Sequence, residues 1–425
     1  MSQSENRGGG MVFDQLAKLL EPCPAQEFLS SSWGQTYRHV RGPRGRFSHL
    51  LPWECLNEIL KRHRLDFPRL RLTRDGKSLP ASTYLRHLRS GRQSAAAPIA
   101  RLRPAELTTE LRRGATLVLD AVDELYERLE ELARGLEYSF QERVQINAYA
   151  GWRTSRGFDL HWDDHDVFIL QVAGRKRWSL YGMTRAYPVM GDPKMAEKPE
   201  GPPLWEETLE DGDLLYIPRG WWHVALPLNE PTLHLTVGIH NRNGLDLLKW
   251  LEERLRESTA FRRDLPRFAD RAERQEHVAR LRAELLAEWG EDVLERFFAH
   301  YDAHAQARPT MSLPWSATPE GLPPSDEARV KLTAPRRLEL ESDADGEQQQ
   351  GAERIVEFAC LGKHWRFARP ALAVLAPLNT GRVYSVAQLC EAARGSLAAE
   401  TVRTFLGELI RHGLLAIVPD EGRHG

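Results

Sequence analysis

Residues 158–181 read FDLHWDDHDVFILQVAGRKRWSLY, and this stretch decides the fold. His161 and Asp163 are two residues apart, so on a β-strand both side chains would point to the same face. A run of apolar, β-type residues follows, Gly174 offers a turn, and residues 175–181 read as a returning strand. The pattern predicts a strand pair with two candidate metal ligands at its start.

A third candidate ligand lies in residues 214–228, LLYIPRGWWHVALPL, which read as a second strand pair around a Pro-Arg-Gly turn. This segment contains His223. Two imidazoles and one carboxylate form the facial triad of non-haem Fe(II) oxygenases, which leaves metal positions open for a chelating cosubstrate and O₂. A ligand set without thiolates disfavours a structural zinc site.

Two other interpretations of the same residues remain open. A His-x-Asp pair on a strand is often a surface pair that binds no metal. His165 shares the predicted strand face with His161 and Asp163, so the three could also form a local site without His223.

The stretch resembles the JmjC-type 2-oxoglutarate oxygenases, and among them the ribosomal oxygenases, which are cupin-like hydroxylases of ribosomal proteins. The resemblance rests on residues 145–182, QINAYAGWRTSRGFDLHWDDHDVFILQVAGRKRWSLYG, and on residues 211–225, DGDLLYIPRGWWHVA. It implies that the iron ligands are His161, Asp163 and His223.

The same resemblance assigns roles in cosubstrate binding. Lys176 falls where the family places a basic residue that pairs with the distal carboxylate of 2-oxoglutarate, and Asn147 falls on an asparagine that lines the cosubstrate pocket. Alternation along 232–240 puts His234 and Thr236 on one strand face, where both could line this pocket. For His234, a hydrogen-bonded histidine in the core is the favoured alternative.

About eight strands are predicted between residues 116 and 240, with one long helix, 121–136, near the start of this region. This agrees with an α+β protein built on a double-stranded β-helix, the jelly roll of cupins. We expect a catalytic domain over 1–242 that includes a helical lead-in.

Two further domains are expected after the barrel. Residues 243–310 contain three amphipathic helices, and the resemblance implies a helical dimerisation module there and therefore a homodimer. Residues 311–425 read as a connector and a winged-helix-like domain with short helices and small strands. We expect this domain to contact protein rather than to bind DNA directly.

Composition bounds the function. The 425 residues are 28% charged and 41% hydrophobic with a net charge of −2, so there is no overall attraction to nucleic acid, although residues 62–113 are rich in arginine. Four scattered cysteines without a CxxC pair predict free thiols in a reducing compartment. No apolar stretch is long enough for a membrane span and no signal peptide is evident, so a cytoplasmic protein is expected.

The expected function is Fe(II)- and 2-oxoglutarate-dependent hydroxylation of a histidine or arginine side chain in a ribosomal protein. A JmjC oxygenase that hydroxylates another protein or demethylates lysine would use the same metal and cosubstrate. A metal cupin that does not use 2-oxoglutarate and a binding module without metal are the remaining alternatives. The proline-rich segment 183–204 is a candidate rim for the protein substrate.

Overall fold

The computed structural model describes residues 14–88, 99–193, 198–342 and 355–419. The chain divides into two compact units, Met1–Asn241 and Arg242–Gly425. The predicted end of the catalytic domain at residue 242 lies beside this division. No helix in the described part of the chain is long and apolar enough to cross a membrane.

The first unit contains five helices among its described residues. They are α1 (Asp14–Leu20), α2 (Ala25–Ser31), α3 (Trp53–Arg62), α4 (Pro104–Arg112) and α5 (Glu127–Phe140). Thirteen strands accompany them: β1 (Arg38–Val40), β2 (Leu70–Arg74), β3 (Lys77–Ser78), β4 (Leu85–Leu88), β5 (Ile99–Leu102), β6 (Thr116–Leu119), β7 (Arg143–Gly151), β8 (Asp166–Ala173), β9 (Lys176–Tyr181), β10 (Trp205–Leu209), β11 (Leu214–Ile217), β12 (Trp222–Pro227) and β13 (Thr232–His240). The eight strands β6–β13 confirm the predicted number between residues 116 and 240.

The strands form two main antiparallel sheets. The larger has the order β1-β11-β8-β13-β7-β6-β2-β3, and the smaller has the order β10-β9-β12. Strands β4 and β5 pair separately as a two-stranded sheet. Between β8 and β13 the chain crosses repeatedly from one main sheet to the other, after β8, β10, β11 and β12, which is the winding of a double-stranded β-helix.

Side-chain alternation divides the larger sheet into two faces. On β8, Phe168 and Leu170 point outwards into a core shared with helices α1, α2, α3 and α5. Val167 and Ile169 point inwards and pack with residues of the smaller sheet, such as Leu180. The helices therefore cover the outside of the barrel, and the inward faces of both sheets are left to form its interior.

The prediction that each of the two segments around the candidate ligands forms a strand pair is wrong. Strands β8 and β9 belong to different sheets, and so do β11 and β12. Gly174 has φ +64, and a Cβ added there would lie 2.1 Å from the carbonyl oxygen of Pro231. The turn residues were recognised correctly, but each turn carries the chain across the barrel instead of reversing it within one sheet.

The predicted helix 121–136 begins later than expected. Ala121 is left-handed with φ 49, residues Val122–Glu124 form a 3₁₀ turn, and α5 starts at Glu127. Its apolar face, including Leu129, Leu132 and Leu136, packs on the barrel.

The second unit contains seven helices and six strands among its described residues. The helices are α6 (Gly244–Leu255), α7 (Thr259–Arg262), α8 (Arg271–Glu288), α9 (Val293–His304), α10 (Leu372–Leu378), α11 (Val386–Ala392) and α12 (Ala399–Arg411). The strands are β14 (Arg329–Leu332), β15 (Glu341–Ser342), β16 (Ile355–Cys360), β17 (Lys363–Ala368), β18 (Tyr384–Ser385) and β19 (Leu415–Val418). They form two small sheets, β18-β14-β19 and β15-β16-β17.

Asn243 caps α6, since its side chain accepts a hydrogen bond from the backbone of Leu245 within a capping box. The predicted helical module and the predicted C-terminal domain lie together in this one unit. Gly362, in the turn between β16 and β17, donates a backbone hydrogen bond to Ala303 of α9. The winged-helix assignment of the C-terminal segment stays a prediction.

Candidate metal centre

Three side chains from two separate turns of the barrel meet at one point. One nitrogen of His161, one nitrogen of His223 and one carboxylate oxygen of Asp163 all lie within 4.8 Å of one another. His223 Nε2 is 3.5 Å from Asp163 Oδ2, and the two imidazole ring centres are 4.4 Å apart. Two nitrogens and one oxygen at these separations can hold one divalent ion.

Backbone hydrogen bonds fix this arrangement. The amides of His161 and His223 each donate to the carbonyl of the other, at 3.2 and 2.8 Å. Gly220 donates its amide to the carbonyl of Asp163 at 2.9 Å. His161 was predicted to lie within a strand. It lies outside the regular strands instead, and its pairing with His223 is an isolated β-bridge.

The histidine rings are oriented by their Nδ1 atoms. Nδ1 of His161 is 2.8 Å from the carbonyl oxygen of Asp159, and Nδ1 of His223 is 3.0 Å from that of Trp221. Because a carbonyl oxygen only accepts, each Nδ1 carries the proton and each Nε2 keeps its lone pair for a metal. Burial, reinforced by His161, lowers the pKa of His223 to about 4, which keeps this ring neutral at physiological pH.

The local alternative through His165 is not supported by the geometry. His165 stacks on His240 with ring centres 4.4 Å apart, and its Nδ1 contacts the carboxylate of Asp164. The cluster of possible metal ligands found among the described residues contains His223 and not His165.

A cavity of about 530 Å³ adjoins the three ligands. Lys176 lines it and is buried, at 7% exposure. Its ammonium lies 5.6 Å from the ring centre of Trp178, and no described carboxylate forms an ion pair with it. Burial lowers the pKa of Lys176 to about 7, because the charge loses hydration.

His234 and Thr236 line the same cavity, as alternation along β13 predicted. The ring of His234 stacks on Tyr149, with centres 4.9 Å apart, and its buried Nδ1 has no hydrogen-bond partner. The favoured alternative of a hydrogen-bonded core histidine therefore does not describe this nitrogen. Burial and the neighbouring Lys176 lower the pKa of His234, so a neutral ring presents a polar atom that needs a partner.

Asn147 is placed differently from the other predicted residues. It shares the inward face of β7 with Tyr149, but it is not among the described residues that line the cavity. Its Oδ1 accepts hydrogen bonds from the amide of Ala121 at 2.8 Å and from Gln145 at 3.1 Å. A role in cosubstrate binding stays a prediction for Asn147.

The two tryptophans before His223 lie on opposite faces, as expected for neighbours on a strand. Trp221 packs in the barrel interior with residues such as Trp178. Trp222 is fully buried, and its indole nitrogen donates to Thr184 Oγ1 at 2.8 Å. That hydrogen bond attaches the start of the proline-rich segment 183–204 beside the ligand-bearing turn.

Several cavity residues were not identified from the sequence. Arg71 on β2 lines the cavity, and its guanidinium donates to both carboxylate oxygens of Asp120, at 2.8 and 2.7 Å. No local motif marks Arg71, since only the β2–β6 pairing brings it to the site. Trp178 could have been found, because it lies two positions after Lys176 on the same strand and therefore on the same face.

Comparison with known proteins agrees with this architecture. Residues 125–247 match the sequence model of the JmjC domain. The chain is 27% identical over 229 residues to the bifunctional lysine-specific demethylase and histidyl-hydroxylase NO66 of Drosophila pseudoobscura pseudoobscura. This alignment covers 53% of this chain and 23% of that protein. For NO66 of Aedes aegypti, the identity is 26% over 235 residues, with 54% of this chain and 35% of that protein covered. The chain thus spans well under half the length of these relatives.

Solved structures of similar fold include YcfD from Escherichia coli. One YcfD structure aligns with a TM-score of 0.56 and 16% identity over 93% of this chain and 98% of that chain. Another, a ribosomal oxygenase in complex with cobalt and 2-oxoglutarate, aligns with a TM-score of 0.55 and 17% identity over 93% and 98% of the two chains. At these identities the likeness shows the fold, and the cupin-type barrel is confirmed.

Proposed function

We propose that this chain, whose residues 125–247 form a JmjC domain, is an Fe(II)- and 2-oxoglutarate-dependent protein hydroxylase. Its predicted target is a histidine or arginine side chain of a ribosomal protein. The observation that carries the proposal is a His-Asp-His cluster beside a cavity that contains a buried lysine without a carboxylate partner among the described residues.

The donor set fits iron. Two neutral imidazole nitrogens and one carboxylate suit Fe(II), and three ligands on one side leave positions for other molecules. His161, Asp163 and His223 would hold the ion. Bound iron would supply O₂ activation coupled to oxidative decarboxylation of 2-oxoglutarate to succinate.

The cavity fits a dicarboxylate. A buried ammonium is costly without an anionic partner, and a carboxylate placed against Lys176 would form a charge-assisted hydrogen bond. His234 Nδ1 and the hydroxyl of Thr236 offer further polar contacts in the same cavity. These residues would bind and orient 2-oxoglutarate, with its other end directed at the three metal ligands.

Apolar and aromatic side chains form the remaining part of the cavity wall. Trp178 and Ile169 line the cavity, and Tyr149 is held between His234 and Phe158, with ring centres 4.9 and 5.9 Å from its own. Burial also raises the pKa of Tyr149, so its hydroxyl stays protonated and available as a hydrogen-bond donor. The segment 183–204 would form part of the protein-substrate rim.

The decisive experiment measures Fe(II)-dependent conversion of 2-oxoglutarate to succinate with and without a ribosomal protein extract. We expect extract-stimulated turnover that is lost in Asp163→Ala and kept in Asp164→Ala, a matched carboxylate next to the site. Peptide mass spectrometry should then find a mass increase of one oxygen atom on a histidine or arginine.

Other results would redirect the proposal. Loss of methyl groups with formaldehyde release would identify a lysine demethylase. Absence of succinate with every extract would favour a metal cupin that does not use 2-oxoglutarate.

A homodimer is the proposed assembly. Helix α8 has 18 residues and none of them is buried. Val278, Leu286 and Trp289 are 54%, 61% and 44% exposed on or directly after it. Apolar side chains left on one helix of a helical segment favour burial against a second copy.

The cytoplasmic location and the absence of direct DNA binding by residues 311–425 also remain proposals. They rest on the cysteine pattern and on the near-neutral net charge.

A further inference from the structure

We propose that a basic surface on the first unit, outside the catalytic cavity, binds single-stranded RNA. The surface is formed by the end of α3 and the β4–β5 sheet, and we call it the α3–β5 surface. Its basic residues are Lys61, Arg62, His63, Arg64, Arg86 and Arg101. This inference rests on the proposed function in one respect, the choice of RNA as the polyanion, because a ribosomal protein substrate would occur together with RNA.

The first observation is a cavity of about 610 Å³ at this surface. Its basic lining residues come from the sequence KRHR at 61–64 and from Arg101, and its floor includes Leu60, Leu102 and Leu107. None of the described residues that line it is acidic. Arginine and lysine around an apolar floor match a nucleic-acid backbone with its bases turned towards the protein.

The second observation is a like-charge pair across the β4–β5 sheet. Arg86 lies directly opposite Arg101 in the antiparallel register, and both are exposed. Directly opposed residues share a face with Cβ atoms about 4.5–5.5 Å apart, and like charges there repel. Neither arginine forms an ion pair with a described carboxylate, so the structure keeps a repulsive pair that an anion between them would relieve.

Nearby carboxylates do not neutralise this pair. Glu58 contacts Lys61 and Arg62, Asp66 contacts His87, and Glu106 contacts Arg103. Arg64, Arg86 and Arg101 therefore have no ion-pair partner among the described residues. The net charge of the whole chain is −2, so the positive potential is local to this surface.

An exposed aromatic residue adds the second element of single-strand recognition. Phe67 is 56% exposed and follows Asp66, whose carboxylate lies 2.9 Å from His87 on β4. Phe67 follows Arg64 of the cavity lining by three residues, and an exposed ring near a basic groove can stack on a base of any identity. This favours RNA over an acidic protein segment, which would use the charges and leave the ring without a partner.

The surface is also joined to the wall of the catalytic cavity. Tyr84, which precedes β4, is fully buried and donates its hydroxyl hydrogen bond to the carbonyl of Leu70 at 3.0 Å. Leu70 is the neighbour of Arg71, which lines the cavity. RNA held on the α3–β5 surface would thus keep an RNA-bound protein close to the site that modifies it.

Fluorescence anisotropy with a labelled oligouridylate on the full chain tests the proposal, with a salt titration. Each phosphate contact contributes about 0.7 to the slope of log affinity against log salt, so Arg86→Ala/Arg101→Ala should lower the slope by about 1.4 and weaken binding at least about tenfold. The matched control Arg41→Ala/Arg44→Ala removes two exposed arginines that face Glu207 and Asp211, and it should bind as the wild type does.

Two further measurements distinguish a specific loss of RNA binding from a folding defect and from a failure of the proposed catalytic function. Arg101→Glu replaces the repulsive pair by an attractive one, so it should lose RNA binding while the melting temperature is unchanged or higher. Succinate formation with a short free peptide should be the same in wild type and Arg86→Ala/Arg101→Ala.

Equal RNA affinity in wild type and Arg86→Ala/Arg101→Ala would overturn the proposal. So would polyglutamate that binds as tightly as the oligouridylate, since negative charge alone would then account for the binding.

Discussion

His161 and His223 exchange backbone hydrogen bonds at 3.2 and 2.8 Å, although they come from separate passes of the chain across the barrel. This bridge brings their rings to 4.4 Å and sets both on the side of Asp163. The candidate metal cluster is thus held by main-chain pairing as well as by side-chain packing. Because His161 lies in an otherwise irregular segment, its position depends on this bridge.

The assignment of the third ligand is tested by a pair of histidine variants. His223→Ala should abolish Fe(II) binding and turnover, because it removes a donor whose Nε2 lies 3.5 Å from Asp163 Oδ2. His165→Ala should still bind the metal, because His165 stacks on His240 instead. Calorimetric titration with Mn²⁺ or Co²⁺ under anaerobic conditions measures both. Retained binding in His223→Ala together with loss in His165→Ala would move the site to the local alternative.

Removal of the buried lysine tests cosubstrate binding. Lys176→Ala should raise the KM for 2-oxoglutarate by about 10- to 100-fold, since a hydrogen bond to a charged group contributes about 1.5–3 kcal/mol. Turnover at saturating 2-oxoglutarate should fall less than the KM rises. Arg177→Ala, at the exposed next position on β9, is the control. An unchanged KM in Lys176→Ala would place the distal carboxylate elsewhere.

The pH dependence of 2-oxoglutarate binding follows from the same residue. In the free protein burial lowers the pKa of Lys176 to about 7, and a bound dianion would raise it again. Below pH 7 the ammonium is charged in both states and affinity should be constant. Above pH 7 binding must take up a proton, so affinity should fall by up to about tenfold per pH unit.

The control for this pH effect is Lys176→Arg, whose guanidinium does not titrate in this range and should remove the dependence. The measurement is the KM for 2-oxoglutarate between pH 6 and pH 9. A flat profile in the wild type would show that Lys176 does not pair with the cosubstrate.

The crossing turn at Gly174 can be tested through stability. Gly174→Ala combines a left-handed backbone with a Cβ placed 2.1 Å from Pro231 O. Gly34→Ala has a similar φ of +66 with no atom within 4 Å of the added Cβ. We expect Gly34→Ala to cost about 1–2 kcal/mol and Gly174→Ala about 1–3 kcal/mol more, measured by urea unfolding. Equal losses would mean that the contact with Pro231 relaxes freely.

The proposed dimer is tested by light scattering. Val278→Asp and Leu286→Asp should convert a dimer to a monomer at micromolar concentration, because they place charges in an apolar interface. Leu313→Asp, in an equally exposed leucine outside α8, should leave the dimer intact. A wild-type protein that is monomeric at the highest measurable concentration would contradict the proposal.

The faces of individual strands could be predicted from the sequence, but the pairing between strands could not. The inward face of β13 was predicted correctly, because strand alternation is a local property. The structure also brings His161, Asp163 and His223 together, and their role as metal ligands stays a prediction. Partner strands were not predicted correctly, since Gly174 and the Pro218–Gly220 turn read as reversals within one sheet. A turn sequence specifies local backbone angles, and packing of the outer faces on α1–α5 decides which sheet receives the next strand.

The sequence also did not reveal which residues far along the chain from His161 line the same cavity. Arg71 lies at the site only because β2 pairs with β6, and no spacing rule connects it to His161. The unpartnered Nδ1 of His234 also required coordinates, because the sequence cannot show which buried atoms lack a partner. Arg71 is therefore recognised by geometry alone, whereas for His234 the sequence predicted the cavity position and geometry added the missing partner.

The division of the candidate metal ligands between two passes of the chain has a consequence for how the protein matures. During synthesis, His161 and Asp163 leave the ribosome well before His223, and the third donor reaches the other two only when β12 takes its place in the barrel. A nascent or cleaved chain that ends between them would possess two donors and no complete centre. Tight metal uptake would therefore report closure of the barrel, and a chelator added during refolding should slow only the steps that follow this closure.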